Sequence, residues 1–209
     1  MPRPSTPRLS PDLIRAAALR IIDAEGLAAL SMRRLAEALG VRAASLYNHV
    51  RTKEALLDDV ANAIVAGVEP PDPDTDDWRA AVLGWARSYR AALAAHPHIV
   101  PFLAGEPLER EASLRLADAV HGVLVGAGWP PRQATMIGAA VRYLVLGAAL
   151  GSFAGGFVDD ADVYAERFPN LGQAHRLRAH ADEIDRDSFE LALGALVDGL
   201  AARHPTRGA

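Results

Sequence analysis

The chain has 209 residues and no cysteine, which excludes disulfides, thiolate metal sites and cysteine nucleophiles. Its formal net charge is −4, and this value alone argues against a nucleic-acid partner. The charge is unevenly distributed, because residues 1–53 hold nine Lys and Arg against four Asp and Glu, a net of +5, while the rest carries −9. A basic N-terminal segment on an acidic body is the pattern expected of a nucleic-acid-binding domain joined to another function.

The first predicted element is a helix that begins after Ser10 and ends near Gly26. Ser10 is a favoured helix cap, and Pro11 suits the first helical position. Apolar residues then recur at helical spacing, namely Leu13, Ile14, Ala17, Ala18, Ile21 and Ile22. The residues before this helix contain prolines and arginines without a hydrophobic signal region, so we expect a short disordered basic arm there.

Residues 31–53, SMRRLAEALGVRAASLYNHVRTK, predict two short helices joined by a tight turn. Ser31 is a good cap for the first helix, and Gly40 suits the left-handed conformation that ends it. The second helix is predicted to run from Arg42 or Ala43 to about Val50, with Leu46 and Val50 facing inward. Its outward residues are Ala43, Ala44, Ser45, Tyr47, Asn48 and His49.

These outward side chains suit a helix that enters the major groove of DNA. Small residues at its start let the backbone approach the groove, and polar residues further along can bond to base edges. Thr52 can cap the following helix, which opens with Lys53. Together with the first helix this predicts a three-helix DNA-binding head; the plainer alternative is a helical bundle whose arginines are only solvated.

The rest of the chain predicts a purely helical body. A non-helical linker is expected at residues 67–74, which contain Pro70, Pro71 and Pro73. After residues 155–156 an irregular stretch is expected through residue 170. No strand pattern is present, so the predicted fold class is all-α. The predicted helices are Asp77 to about Ala95, Ile99 to Leu103, Leu108 to Gly126, Arg132 to about Phe153, and about Asp187 to Arg203.

Two of these helices are predicted to form a dimer interface. The helix Arg132–Phe153 is apolar around most of its circumference, and the helix Asp187–Arg203 carries a similar apolar surface. A monomer that buries both helices internally is the alternative. We expect no membrane span, because the most apolar stretch, Ile137 to Phe157, contains Arg142 and several glycines.

The chain resembles the tetracycline-repressor (TetR) family of bacterial regulators. The resemblance is carried by IDAEG at Ile22–Gly26, LSMRRLAEAL at Leu30–Leu39, and Gly40-Val41 followed by SLYNHV at Ser45–Val50, with KEALL after it. It implies an all-α homodimer with a DNA-binding domain at residues 1–66, including a connecting fourth helix, and an effector-binding and dimerisation domain at residues 67–209. It further implies a repressor that a small effector releases from a palindromic operator.

The family's typical DNA contacts, carried over position by position, fall on both short helices and on the start of the fourth. The resemblance implies phosphate contacts by Tyr47, His49 and Lys53, and base contacts by Arg33, Ser45 and Asn48. Methyl contacts to thymine would fall to the two alanines, and Arg42 meets either a base or a phosphate. The full predicted set is Ser31, Arg33, Arg42, Ala43, Ala44, Ser45, Tyr47, Asn48, His49 and Lys53.

The effector site is less sharply predicted. A pocket in such a body should be apolar with a few polar groups. Arg142 lies among apolar residues, so it is expected either to pair with an acid or to meet an anionic ligand, the former being favoured. Each other candidate also has a plain structural reading, such as core packing for Trp85 and Tyr89. The candidates are Trp85, Tyr89, His96, Phe102, His121, Arg142 and Tyr143.

The chain departs from tetracycline-binding members of the family at the expected magnesium site. In an ungapped comparison, Phe102, Gly105 and Glu106 stand where those repressors have a magnesium-ligating His and a neighbouring Thr-Arg. The pair His96 and His98 is a poor metal site because Pro97 separates its members and no acid is adjacent in sequence. We therefore expect no metal and no cofactor, and a mainly apolar organic effector.

Two alternatives come from other functional classes: a helical enzyme, and a helical interaction protein without specific DNA binding. The sequence has no Glu-x-x-His pair for a di-iron bundle, no glycine-rich phosphate loop, and no Ser/His/Asp order that suggests a catalytic site. A cytoplasmic regulator that is not an enzyme is therefore the favoured interpretation. In the expected mechanism, effector binding tilts the fourth helix and changes the spacing of the two heads.

Overall fold

The structure is a computed structural model that describes residues 9–105, 109–165 and 167–205. Within these ranges the regular structure is helical and no residue lies in a strand, which confirms the predicted all-α fold. The α-helices are α1 (Pro11–Glu25), α2 (Met32–Leu39), α3 (Ala43–Leu46), α4 (Lys53–Ala66), α5 (Trp78–Ala94), α6 (Val100–Gly105), α7 (Glu111–Gly126), α8 (Pro131–Ala149), α9 (Asp162–Ala165) and α10 (Ala181–Ala201).

The chain divides into two compact units. The head unit comprises Met1–Gly67 together with His96–Leu114, and the body unit comprises Val68–Ala95 together with Arg115–Ala209. The first break falls after Gly67, and residues 96–114 lie in the head unit. The predicted functional division into a DNA-binding part and an effector-binding part stays a prediction.

Side-chain caps fix the starts of the helices in the head unit. The hydroxyl of Ser10 accepts a hydrogen bond from the Leu13 amide at 3.2 Å, which starts α1. Ser31 caps α2 in the same way through the Arg34 amide at 3.1 Å, and Thr52 caps α4 through the Ala55 amide at 3.1 Å. Each cap satisfies an amide that has no partner within its own helix.

The core of the head unit is built on α1. Its buried stripe packs against α2 and α4, and Leu35, Leu46, Leu56 and Val60 complete the apolar interior. At the edge of this core the Arg15 guanidinium donates to the Asp59 carboxylate on α4 at 3.2 Å, and also to Asp12 on its own helix. Of the six residues in the predicted apolar stripe of α1, Leu13 is only half-buried, and the buried ones are Ile14, Ala17, Ala18, Ile21 and Ile22.

Residues 96–114 are held on the head unit at both ends. At one end, Nδ1 of His96 lies 2.9 Å from Oδ2 of Asp23, and Nδ1 of His98 lies 3.0 Å from the carbonyl oxygen of Ile22 at the end of α1. At the other end, the Arg110 guanidinium donates to Oδ1 of Asp58 on α4 at 2.7 Å. These contacts explain why the segment, which includes α6, belongs to the head unit.

The body unit is organised around α5, which packs against α8 and α10, while α8 also packs against α10. Asp77 caps α5 by accepting hydrogen bonds from the Arg79 and Ala80 amides, both at 3.0 Å. Arg87 on α5 and Glu190 on α10 form a two-point ion pair whose shortest distance is 2.7 Å. Helix α7 spans the division, with residues 111–114 in the head unit and the remainder in the body unit.

Three predicted helices differ from the structure by four or more residues at one end. Helix α3 stops at Leu46 rather than Val50, because Tyr47, Asn48 and His49, which are poor helix formers, turn instead. Helix α8 ends at Ala149 rather than Phe153, before Gly151 and Ser152. Helix α10 begins at Ala181 rather than Asp187, since Asp182 and Glu183 favour a helix N-terminus. The stretch predicted as irregular contains short helical turns, α9 among them. The predicted start of α7 at Leu108 lies outside the described residues.

Large apolar side chains on α8 and at its C-cap residue Leu150 are exposed at seven-residue spacing. Met136 is 57% exposed, Tyr143 70% and Leu150 54%. By length and composition alone, the stretch Pro131–Gly156 is apolar enough to cross a membrane. Its opposite face, however, which includes Ile137 and Val141, is buried in the packing against α5 and α10. An amphipathic helix of this kind fits a bundle with one face left for a partner.

Two glycine substitutions should have opposite effects on stability. Gly40 ends α2 in the left-handed region at φ 65°, where an added Cβ is strained, whereas Gly84 lies within α5 with open space around its Cα. Gly40→Ala should therefore lower the free energy of unfolding by about 1–2 kcal/mol. Gly84→Ala should raise it by about 0.5–1 kcal/mol. Urea denaturation followed by circular dichroism measures both, and equal effects would contradict the assigned backbone conformations.

Candidate nucleic-acid interface

Helices α2 and α3 form a helix-turn-helix unit. After Gly40, the amide of Val41 donates to the carbonyl oxygen of Ala36 at 3.0 Å, which closes the turn. Leu46 is the buried residue of α3 and is fully inaccessible to solvent. The amide of Val50 donates to the carbonyl of Leu46 at 2.9 Å, so the chain keeps a helical turn beyond the end of α3. The turn and this single apolar anchor fix the orientation of α3.

The residues predicted to contact DNA lie mainly on the solvent side of this unit. Arg42, Ala44, Asn48 and His49 are exposed, and Tyr47 is 53% exposed. Ala43, Ser45 and Lys53 are half-buried. The hydroxyl oxygen of Ser31 accepts the cap bond of α2, which leaves its proton free to donate. The structure thus presents the predicted surface, while the role of each residue in DNA binding stays a prediction.

The two adjacent arginines of α2 have different surroundings. The Arg33 side chain is 90% exposed, and within the described part of the chain its ion pair is a 3.7 Å contact with Glu37 one turn along. Arg34 donates two hydrogen bonds to Glu25 at the end of α1, at 2.5 and 3.3 Å. The hydrogen bond from Arg34 is the main cause that lowers the pKa of the Glu25 carboxyl. Arg34 therefore joins α1 to α2, and Arg33 is available to an outside partner.

The predicted effector contacts do not all lie in the same unit. Trp85 and Tyr89 are buried on α5, and His121 donates from Nε2 to the carbonyl oxygen of Pro131 at 3.2 Å. Arg142 on α8 is half-buried, whereas Tyr143 is largely exposed. These five residues belong to the body unit; the two that remain, His96 and Phe102, belong to the head unit.

His96 and Phe102 have partners within the head unit. His96 contacts the Asp23 carboxylate, and the guanidinium of Arg110 lies 5.1 Å from the centre of the Phe102 ring. The contacts of Arg110, Asp58 and Asp23 were not found by sequence reasoning, because the residues involved are 52–73 positions apart. No local pattern signals such pairs. A role for His96 and Phe102 in effector binding stays a prediction.

Trp85, one of the two predicted effector residues on α5, borders a narrow apolar space. Its volume is about 160 Å³, and it is too narrow in this conformation for a water molecule. The indole nitrogen of Trp85 is buried without a hydrogen-bond partner in the described part of the chain. The lining residues are Pro71, Ala81, Val82, Trp85, Val120, Val123 and Leu124.

The structure offers no cluster of three or more His, Asp or Glu residues suited to a metal ion among residues 9–105, 109–165 and 167–205. Glu106, one of the positions compared with the magnesium site of tetracycline-binding repressors, lies outside these ranges. The other two compared positions, Phe102 and Gly105, lie in α6 and carry no ligating side chain.

Two family models match the chain in succession. The model described as "Bacterial regulatory proteins, tetR family" matches residues 14–60. The model described as "Tetracyclin repressor-like, C-terminal domain" matches residues 70–204. The first covers the helix-turn-helix unit, and the second begins within the linker before α5.

Individual proteins are similar over most of the chain. The tetracycline repressor protein class A from transposon 1721 of Escherichia coli is 36% identical over 206 residues, covering 94% of this chain and 92% of that protein. Streptomyces coelicolor ActR in complex with actinorhodin has a TM-score of 0.78 at 30% identity, covering 97% and 100% of the two chains. BioQ with its natural double-stranded DNA operator has a TM-score of 0.65 at 26% identity, covering 93% and 99%.

A helix-turn-helix head followed by a helical body is the architecture of a DNA-binding regulator that responds to a ligand. The chain belongs to the TetR family of bacterial transcriptional regulators. This confirms the fold, the class of function and the family predicted from the sequence. Members of the family are regulators rather than enzymes.

The Arg34–Glu25 pair should make head stability depend on pH. Because the pKa of Glu25 is lowered in the folded state, the pair stabilises above the ordinary glutamate pKa, and this stabilisation is lost as pH falls through the folded pKa. Arg34→Gln should therefore lower the urea midpoint at pH 7, and its difference from wild type should shrink below about pH 4.3. Arg33→Gln is the matched control, with little effect on stability at either pH. A pH-independent difference for Arg34→Gln would contradict the assignment.

Proposed function

We propose that this chain is a homodimeric repressor that binds a near-palindromic operator through the exposed surface of α2 and α3. The observation that supports this most directly is the pattern around Leu46, which is fully buried while its neighbours Tyr47, Asn48 and His49 face solvent. That arrangement suits a helix that docks on its own core on one side and on a groove on the other. The similarity to BioQ bound to its operator supports the same docking.

In the proposed complex, phosphate contacts hold the head and base contacts give it specificity. Tyr47, His49 and Lys53 bind phosphates, as does the Ser31 hydroxyl beside the N-terminus of α2. Asn48 and Ser45 bond to base edges, together with Arg33, whose side chain is nearly fully exposed. Ala43 and Ala44 offer only methyl groups, so sequence preference depends on few side chains, with Arg42 next to them.

The dimer is proposed to form through α8 and α10. The exposed side chains of Met136, Tyr143 and Leu150 follow a seven-residue repeat along α8, and Leu191 on α10 is 76% exposed. Covering these apolar surfaces with a second copy gives a four-helix bundle with two-fold symmetry. A two-fold dimer sets two recognition helices about 34 Å apart, one turn of DNA. A near-palindromic operator follows from that symmetry.

The proposed effector is a small organic molecule, mainly apolar, that binds in the body unit without a metal. The apolar space beside Trp85 supports this, since its lining carries no charged side chain. The space is closed here, so the effector must open it. Tyr89, His121, Arg142 and Tyr143 remain candidate contacts. The predicted contacts His96 and Phe102 are proposed to respond through the head unit, where their partners lie.

Effector and operator are proposed to act on each other reciprocally in the cytoplasm, where the DNA is. In the proposed mechanism, effector binding tilts α4 and changes the spacing of the two heads. The contacts of Arg110 with Asp58, and of the Ala112 amide with Asn62, join α4 to the start of α7 and support this route. By linkage, operator DNA then weakens effector binding by the same factor as effector weakens DNA binding.

The DNA-binding proposal is tested with the DNA fragment upstream of the gene that encodes the chain. Binding should weaken linearly with the logarithm of salt concentration, since phosphate contacts release counterions. Asn48→Ala should reduce discrimination against mismatched sites by about 1–3 kcal/mol. Lys53→Ala should weaken all DNA alike and reduce the salt slope by about 1. Fluorescence anisotropy at several salt concentrations measures both effects.

Arg20→Ala is the matched control for charge, because Arg20 is exposed on α1 outside the proposed surface. It removes one positive charge and should leave both affinity and salt slope nearly unchanged. A chain that binds no DNA at low salt, or binds with the same affinity at every salt concentration, is not the proposed repressor. Equal effects of Arg20→Ala and Lys53→Ala would reject the assigned phosphate contact.

The metal-free effector site is tested by thermal denaturation with tetracycline, in magnesium chloride and in EDTA. We expect no change of the melting temperature that depends on magnesium, because Phe102 and Gly105 carry no metal-binding side chain. A shift that appears with tetracycline plus magnesium and vanishes in EDTA would overturn the proposal. The operator affinity of the same preparation verifies that the protein is folded and active.

A further inference from the structure

One basic residue of this chain differs in its chemistry from all the others. Lys and Arg together number 22, and a single one of them, Lys53, is a lysine. Activated acyl donors modify the amine of a lysine, whereas the guanidinium of an arginine stays protonated and is not a nucleophile. Lys53 therefore offers the one side-chain amine of the chain that can be acylated, and it is the first residue of α4.

The Lys53 amine is accessible in the head unit. The residue is half-buried, but its Nζ atom is not itself buried, and no hydrogen bond or ion pair engages it among the described residues. Arg15 and Arg34, by contrast, are held by carboxylates of neighbouring helices. An acyl donor can therefore reach Nζ of Lys53 without breaking a contact that stabilises the fold.

A positive charge at this position does not stabilise α4. The hydroxyl of Thr52 caps the helix, so Lys53 stands at the N-terminal end, where the helix dipole is itself positive. The exposed Arg51 adds another positive charge two residues earlier. Removing the charge of Lys53 should therefore leave the fold intact and affect only the binding of a partner outside the chain.

Under the proposed function Lys53 binds a phosphate of the operator, and the regulatory effect of acylation rests on that contact. Acylation turns the ammonium into a neutral amide, which removes the charge that the phosphate meets. A neutral donor makes a weaker hydrogen bond to phosphate and releases no counterion from the DNA. Bound DNA in turn covers the amine, so operator binding and acylation of Lys53 should oppose each other.

We propose that Lys53 is an acylation site through which an activated acyl donor, an acyl phosphate or an acyl thioester, weakens operator binding. The neutral amine attacks the acyl carbon, so the Nζ–C bond forms while the C–O or C–S bond of the donor breaks. The donor leaves as phosphate or thiolate, Nζ releases one proton to water, and nothing is oxidised or reduced. Acyl phosphates and coenzyme A thioesters are anions, which the exposed Arg42 and Arg51 attract to this surface.

Three variants separate the reactive amine from its charge and its position. Lys53→Arg keeps the positive charge without an amine that can be acylated, and Lys53→Gln has neither the charge nor the amine. The matched control combines Lys53→Arg with Arg20→Lys, which moves the single lysine to the exposed surface of α1, outside the proposed DNA-binding surface. This double variant has the same net charge as the wild type.

The test treats the full-length chain with acetyl phosphate in one arm and with acetyl-coenzyme A in the other. Tandem mass spectrometry should locate a side-chain acetyl group on Lys53, and the arm with the higher yield identifies the class of donor. An excess of the upstream DNA fragment during treatment should lower the yield at Lys53. In the double variant the acetyl group should appear on the introduced lysine, and the same DNA should not protect it.

Operator affinity is then measured by fluorescence anisotropy after removal of the donor. Acetylated wild type should bind about tenfold more weakly than untreated wild type, the ratio expected for one charge-assisted hydrogen bond. Its salt slope should be lower by about 1, as for Lys53→Ala. Its affinity should match that of Lys53→Gln within about twofold. Treatment should change the affinity of Lys53→Arg and of the double variant by less than about twofold.

Three outcomes would overturn the proposal. They are the absence of an acetyl group on Lys53 with both donors, unaltered operator affinity of the acetylated wild type, and an equal loss of affinity in treated Lys53→Arg. The last result would assign the effect to the α-amine or to a hydroxyl group. Failure of the repressor function is recognised separately, because the untreated wild type then binds no operator, and the regulatory role of Lys53 falls with it.

Discussion

The orientation of α3 depends on the burial of one side chain, that of Leu46. A helix of four residues has almost no stability of its own, because nucleation is unfavourable and few hydrogen bonds repay it. Its position is therefore set by tertiary packing, and Leu46 is its one fully buried residue. The core that receives Leu46 is built by α1, α2 and α4. Every contact proposed for the outward face of α3 depends on that core.

The head unit is more than a separate helix-turn-helix module. Residues 96–114 are tied to the end of α1 by His96 and His98, and to α4 by Arg110. The same residues are continuous in sequence with α5 on one side and with the remainder of α7 on the other. A displacement of α6 must therefore either carry the head's helices with it or break these bonds. The hydrogen bonds of His96, His98 and Arg110 are therefore the contacts that the proposed regulation would keep or break.

Local signals in the sequence are sufficient to predict where most helices start and most of the residues that form the core of the head unit. Ser10, Ser31 and Thr52 cap helices where predicted, because an N-cap is decided by one side chain and the amide three residues later. The predicted ends of α3 and α8 lie further along the chain than the observed ends, because no proline or cap marks the residues where these helices stop. The contacts of residues 96–114 were not predicted at all, because they join residues far apart in sequence.

The arginines of the head unit, which count equally in the net charge, differ in whether they form close ion pairs within the protein. Arg15 pairs with Asp12 and Asp59, and Arg34 pairs with Glu25, so both are committed to holding the helices together. Arg33 is almost fully exposed and only loosely paired. The net positive charge of the first 53 residues thus overstates the basic surface that DNA meets. Since Ala43 and Ala44 contribute no polar side-chain groups, we expect the exposed Arg33 and Arg42 to supply a large share of both attraction and specificity.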